Sequence, residues 1–330
     1  MKSKLILIIV TLQLIVITFI ARNIYLKKTD ILGSADINPI KKENVQENPQ
    51  SNLKFFYEPP PHSIENPNDW IPYKATYSIN HDTLNERFEY DVEKPVKTFR
   101  IVTLGDSWTY GLYVDTRDNW SERLEDLLNS ELKCNAYEKF EVINLGYQGY
   151  DLEYAMERLK LRGLKYNPDL VLWLIKIDDI YQINELILPK ESEVAKKLTS
   201  QDYIKSYENG RNYPSYYEAY RWYEKNYSKE EILKKQLKIL ENFPKEYINP
   251  LVFLTFPIKT NWGADTEGKE LIDKFTKTRA GTTLETVIPD ISSNSNYHFE
   301  TDKHPNKEGH EAIAKSVFES LRNQGLLLCN

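Results

Sequence analysis

Three side chains stand out for the chemistry their types and spacing allow. Ser107 closes the triplet Gly105-Asp106-Ser107 directly after a short apolar run. Asp302 and His304 lie two residues apart in Asp302-Lys303-His304-Pro305-Asn306, just before the last helical pattern. A serine hydroxyl, an imidazole and a carboxylate are the nucleophile, general base and orienting group that acyl transfer requires. The spacing of two puts Asp302 and His304 on one loop, so the same few backbone torsions position the base and its partner. Singly, each has a plainer use: Ser107 and Asp302 as helix or turn caps, His304 as a surface histidine. Their order along the chain carries the chemical reading, and His310, six residues on, reads as structural.

The elements that must position these residues are legible as a strand–helix alternation. Phe99 to Leu104 is an apolar strand ending at Gly105, Phe140 to Leu145 a second, Asp169 to Ile177 a third and Leu251 to Ile258 a fourth. Thr283–Ile288 is a candidate fifth. Trp120, Leu124, Leu127 and Leu128 recur on one helical face with Asp118 as N-cap, and Leu152 to Leu164 forms a second helical pattern. Ile313, Val317 and Leu321 mark a last helix, capped by Asn306 and stopped by Gly325. Continuous apolar strands alternating with helices predict an α/β fold with a parallel sheet covered on both faces. In such a sheet ligands bind beyond the carboxyl ends of the strands. The loops 105–111 and 144–151, the pair Asp178-Asp179 and the loop after Ile258 all leave that rim.

Glycine usage sharpens the same region. Only 12 of 330 residues are glycine, and Gly105, Gly111, Gly146 and Gly149 fall within 45 residues. The low glycine count, the two cysteines and a 41% hydrophobic share exclude collagen-like chains, disulfide-stapled miniature scaffolds and wholesale disorder.

With these blocks in view, the sequence resembles the GDSL/SGNH hydrolase superfamily over roughly residues 98–325, in the manner of its membrane-attached bacterial members. The resemblance rests on Gly105-Asp106-Ser107 with Gly111, on Asn144 to Gly149, and on Asp302-x-His304-Pro305-Asn306. It is not the Gly-x-Ser-x-Gly elbow of α/β-hydrolases, because Thr109 stands two residues after Ser107. The resemblance implies a three-layer α/β/α, flavodoxin-like SGNH fold. It implies Ser107 as nucleophile, His304 as base and then acid, and Asp302 as the group that orients His304. An oxyanion hole would comprise the N–H groups of Ser107 and Gly149 and an Asn amide. At the Asn position this chain carries Asp178, in Lys176-Ile177-Asp178-Asp179. An ionised carboxylate has no donor to offer an oxyanion. Three explanations stand: Asp178 is held protonated, Lys176 or Asn184 supplies the donor, or catalysis is weak. The expectation is that Asp178→Asn preserves or raises esterase activity.

The chain's ends speak to compartment. Leu5 to Ala21 is an uncharged run that spans roughly 25 Å as a helix, the short end of what crosses a bilayer. Lys2 and Lys4 precede it and Arg22, Lys27 and Lys28 follow it, so flanking charge leaves the orientation open. Residues 1–28 read as a membrane anchor or signal segment, 29–72 as linker and extended lead-in, and 73–330 as the hydrolase domain. That domain carries a helical, Tyr-rich insertion at about 181–248. The favoured location is membrane-anchored, single-pass, with the catalytic domain extracytoplasmic; a cleaved signal and a cytoplasm-facing domain are the alternatives. Five basic groups and no acidic ones fall in 1–28, so the remainder has a formal charge of −11 against −6 for the whole chain. A nucleic-acid partner would call for the opposite sign.

Cys134 and Cys329 have no metal-ligand spacing and stand either as a pair or as unrelated thiols. The resemblance favours a disulfide, because it makes the helices near them neighbours on one sheet face. The functional expectation is an extracytoplasmic serine esterase acting on O-acyl, chiefly acetyl, esters of a carbohydrate or lipid, with no cofactor or metal. The alternatives are a polysaccharide O-acyltransferase and a non-catalytic carbohydrate-binding relative, the second motivated by Asp178. Aromatics near the rim, Trp108, Tyr147, Tyr150 and Trp173, read either as sugar-stacking platforms or as packing.

Overall fold

The structure, a computed structural model, describes residues 46–47, 51–65, 73–208, 213–255, 270–272, 274–275, 286–287, 291, 294–300 and 303–329. The run Leu5–Ala21 with the anchor reading, Asp302 and the loop after Ile258 lie outside them. Among the described residues no helix is long and apolar enough to cross a membrane. The chain falls into two compact units, and in one of them the described residues are 190–208 and 213–221. The candidate site belongs to the other.

Among the described residues, five parallel strands build the central sheet: β1 (Thr98–Leu104), β2 (Lys139–Asn144), β3 (Leu170–Ile175), β4 (Leu251–Thr255) and the two-residue β5 (Thr286–Val287). Their order is β2-β1-β3-β4-β5, the doubly wound, flavodoxin-like arrangement. Alternate strand residues feed opposite faces. Phe99, Ile101, Val142, Leu172 and Val252 pack with Trp120, Leu124 and Leu128 of α2 (Trp120–Glu131) and with Ile313, Val317 and Leu321 of the last helix. Val102, Leu104, Ile143, Val171 and Trp173 instead meet Leu152, Ala155 and Met156 of α3 (Leu152–Arg158) and Leu240 near the end of α8 (Lys229–Glu241). Burial on both faces explains why these strands read as continuous rather than alternating apolar runs. The three-layer α/β/α architecture expected from the sequence is therefore what the residues form.

Boundaries differ from the sequence reading at several points, among them β3, expected over Asp169 to Ile177, which ends at Ile175 because Ile177 already begins a helix. The cap of α2 is Asn119, whose side chain accepts the Glu122 N–H at 2.9 Å. Asp118 is drawn away by ion pairs with Arg123 and with Lys307 at 3.3 Å. The second helical pattern keeps α-geometry only to Arg158 and then widens into a π-turn over Leu159–Gly163. A Cβ on Gly163 would lie 2.5 Å from Leu145 Cδ1, so the bulge seats a glycine against the sheet loop.

Between α4 (Ile177–Tyr181) and α8 come α5 (Asn184–Ala195), α6 (Ser200–Glu208) and α7 (Pro214–Asn226), so the Tyr-rich stretch is helical. The final helix, α9 (Lys307–Asn323), is capped by Asn306, whose side chain accepts the Gly309 N–H at 2.9 Å. Beyond the C-terminal ends of α2 and α9, Cys134 and Cys329 are joined as a disulfide with a Cα separation of 4.6 Å. With the two cysteines separated by 195 positions, the chain-entropy account makes the crosslink worth on the order of 5 kcal/mol.

Residues 51–58, part of the extended lead-in, are stitched onto the sheet domain. Ser51 Oγ donates to Glu157 at 2.9 Å and the Phe55 N–H to Glu185 at 3.0 Å. Phe56 packs into an aromatic cluster with Tyr77, Tyr110, Tyr147, Tyr150 and Tyr154. The buried Glu58 carboxylate receives Arg158 and, at 2.7 Å, Arg162.

A second buried acidic group gives a pH prediction. Glu86, Glu122 and Glu125 converge beneath Tyr90, whose hydroxyl lies 3.2 Å from Glu86 and 3.0 Å from Glu125. Burial, reinforced by the Glu122 charge, pushes Glu86 well above the ordinary carboxylate range and Glu125 up to about 7. A folded-state pKa above the unfolded value means stability that is full at low pH. It is lost as pH climbs from about 4.5 through about 7. Urea midpoints are expected to fall between pH 5 and pH 8, and Glu125→Gln to flatten that slope. A Glu125→Gln profile parallel to wild type would remove this group as the cause.

Candidate active site

The nucleophile turn is built directly after β1. Asp106 caps the four-residue α1 (Ser107–Tyr110), its carboxylate accepting the Trp108 N–H at 2.9 Å. Ser107 therefore begins a helix, where backbone N–H groups point outward without intrahelical partners. The turn is braced from β2: the Asn144 amide donates to Thr109 O at 2.8 Å, while its oxygen accepts the Gly146 N–H at 2.9 Å. A Cβ on Gly146 would sit 2.5 Å from the Tyr110 nitrogen. Only glycine allows the β2 loop to lie flush against α1.

His304 is delivered from the opposite end of the chain. Its loop is pinned by an isolated bridge between His298 and Pro305 and by the Phe299 N–H donating to His304 O at 3.2 Å. The Asn306 amide adds a bond to His298 O at 3.2 Å. The imidazole Nε2 then stands 2.7 Å from Ser107 Oγ, across 197 residues of sequence. That is the distance at which a base takes a hydroxyl proton. Tyr113 presents its ring edge-on to His304, with centroids 5.5 Å apart. Tyr113 adopts a left-handed φ of 73°, and its N–H donates to the Tyr77 hydroxyl at 2.7 Å, which holds that uncommon conformation. Nothing in the sequence distinguishes Tyr113 from the other 22 tyrosines.

The third strand brings Lys176 and the Asp178-Asp179 pair to the same rim. The Lys176 ammonium bridges Asp106 and Asp178, 2.7 Å from each, and lies 5.5 Å from the Trp108 ring centroid. Burial works against this ammonium, but the surrounding carboxylates, Asp106 first, hold its pKa well above the ordinary lysine value. Desolvation likewise opposes the ionised Asp178, and the adjacent Lys176 charge outweighs it, so Asp178 titrates below the usual carboxylate value. Asp178 is thus held as a carboxylate rather than kept protonated. Buried Asp179 is the one pushed well up, by burial and then by the Asp106 charge, and it accepts the Lys176 backbone N–H at 2.8 Å. The three carboxylates could in principle surround a cation, but Lys176 already supplies the positive charge between Asp106 and Asp178.

Gly149 lies on the β2 loop with φ of 70°, and its carbonyl accepts the Asn184 amide at 2.7 Å. Asn184 is therefore engaged in holding the glycine. His310 is separate from the site: it is fully buried, and its Nδ1 accepts the Trp120 N–H at 3.2 Å.

No protein-family model matches the chain, and no curated protein sequence matches it. Among solved structures it is similar to TesA, at 12% identity and a TM-score of 0.42 over 68% of this chain and 98% of that one. It is similar to the psychrotrophic esterase EstA from Pseudoalteromonas sp., at 13% identity and a TM-score of 0.44 over 68% and 97%. It is also similar to a catalytic mutant of Axe2, an acetylxylan esterase from Geobacillus stearothermophilus, at 13% identity and a TM-score of 0.41 over 68% and 94%. These similarities assign no residue of the site.

Proposed function

We propose that the protein is a serine esterase of SGNH type. The observation that carries this is the 2.7 Å contact between Ser107 Oγ and His304 Nε2 at the carboxyl rim of a parallel sheet. As Oγ bonds the ester carbonyl carbon, its proton passes to Nε2, and the oxyanion is received by the Ser107 and Gly149 N–H groups. His304 returns the proton to the departing alcohol, leaving an acyl group on Ser107. Water, deprotonated by the same imidazole, then releases the acid. Asp302 is assigned the orienting role on Nδ1. The proposed substrate is an O-acyl group on a carbohydrate outside the cytoplasm, with the N-terminal run as membrane anchor.

Labelling with a serine-directed fluorophosphonate tests this reading. Label incorporation that is lost in Ser107→Ala is expected, and incorporation that survives the substitution sinks it. Asp178 is predicted to oppose rather than assist the chemistry. In Asp178→Asn, one carboxylate leaves the rim while Lys176 keeps Asp106, and kcat for p-nitrophenyl acetate should be preserved or raised. A tenfold or larger loss would give Asp178 a role of its own.

A further inference from the structure

We propose that Tyr57, in the segment that precedes the sheet domain, is a positioning residue that aims the oxyanion donor of Gly149. The inference rests on the esterase reading. The Tyr57 hydroxyl donates to the carbonyl of Gln148 at 2.6 Å. That carbonyl and the Gly149 N–H belong to one planar trans peptide and point in opposite directions. Holding the oxygen from behind fixes the direction in which the hydrogen points. It also polarises the amide, which strengthens the N–H as a donor.

The site is shaped for this contact. A Cβ on residue 149 would lie 2.9 Å from the Tyr57 hydroxyl, so a side chain there would collide with the atom that makes the bond. The next peptide is held as well, by the Asn184 amide on Gly149 O at 2.7 Å, and the Asn184 N–H is fixed on Asp151 at 2.6 Å. Both peptide planes flanking Gly149 are thus constrained, one of them from a residue 92 positions earlier in the chain. Tyr57 in turn is seated edge-on against Tyr147, Tyr150 and Tyr154, and its own carbonyl accepts the Tyr150 hydroxyl at 2.6 Å.

The test uses the full chain with p-nitrophenyl acetate. Tyr57→Phe keeps the ring and removes only the hydroxyl. Loss of a whole oxyanion donor costs roughly 10²–10³ in rate, so loss of its aim should lower kcat by about tenfold, with KM unchanged and the melting temperature lowered no more than in Tyr150→Phe. Tyr150→Phe removes a bond that holds the same segment without touching Gln148, and it should lower the melting temperature while costing clearly less kcat than Tyr57→Phe. Wild-type kcat in Tyr57→Phe overturns the proposal, as does an equal kcat loss in both variants, which would mean a purely structural role. Ser107→Ala is read alongside. Turnover that does not depend on Ser107 removes the esterase reading and this inference together, whereas Ser107-dependent turnover untouched by Tyr57→Phe removes the inference alone.

Discussion

Replacing His304 with alanine is expected to lower kcat/KM for an acyl ester by roughly 10⁴-fold or more, about 5.5 kcal/mol of transition-state stabilisation. The serine hydroxyl is a weak nucleophile until its proton has somewhere to go, and Nε2 at 2.7 Å from Oγ is the base the structure offers. The loss should appear almost wholly as activity. His304 is only half-buried, and its loop is held by the His298–Pro305 bridge and the Asn306 amide, none of which involve the imidazole. The melting temperature is therefore expected to move by no more than about 2 °C. His310 provides the contrast within the same helix region. Burial pushes its pKa down to about 3, far too weak a base for this proton, and its ring is occupied with the Trp120 N–H. His310→Ala should unfold more easily while each folded molecule keeps its activity. Retained turnover in His304→Ala, or a His310→Ala variant that is stable but inactive, would reverse the assignment of the two imidazoles.

The outcome for individual residues shows what the sequence carried and where it stopped. Ser107 and His304 were legible because each sits in a short block whose neighbours do local work. Asp106 caps the helix that Ser107 begins, and Asn306 caps the helix that follows His304. The strands were legible because burial on both faces leaves an unbroken apolar run, and their parallel pairing followed from the alternation with helices. The misplaced cap at Asp118 shows the limit of local pattern, since Asp and Asn cap equally well and the choice was made by Arg123 and Lys307. Residues whose role depends on a distant partner left no local signal. Tyr57 and Glu58 lie in a stretch of lead-in composition, and only folding brings them to Gln148 and Arg158. The Lys176 bridge was similarly hidden: the sequence showed an Asp where an amide was expected, but the charge that holds it ionised comes from geometry.

Glu58→Gln is the substitution expected to cost the most stability, about 3–5 kcal/mol. Glu58 and Arg158 are both almost completely buried, and Arg162, about one-fifth exposed, shares the same carboxylate. Removing the negative charge leaves Arg158 uncompensated at a buried position, and that desolvation cost, rather than the loss of one attraction, sets the size of the effect. Arg158 cannot relax outward easily, because it also donates to the Thr83 hydroxyl at 2.9 Å and to the Thr83 carbonyl. Arg162→Gln is the milder comparison, since a partly exposed guanidinium loses less and leaves less behind, and it should cost under about 1.5 kcal/mol. Replacing the pair together, Glu58→Leu with Arg158→Met, should recover much of the loss, because no unpaired charge then remains. Urea denaturation of the four proteins gives the comparison, and a Glu58→Gln midpoint equal to that of Arg162→Gln would refute it. The consequence for activity follows from chain connectivity: Glu58 is the residue after Tyr57, and this ion pair fixes the backbone from which the Tyr57 hydroxyl reaches Gln148. Glu58→Gln should therefore lose several kcal/mol of stability along with kcat, whereas Tyr57→Phe should lose kcat at a small cost in stability. That difference separates the group that holds the segment in place from the group that aims the donor.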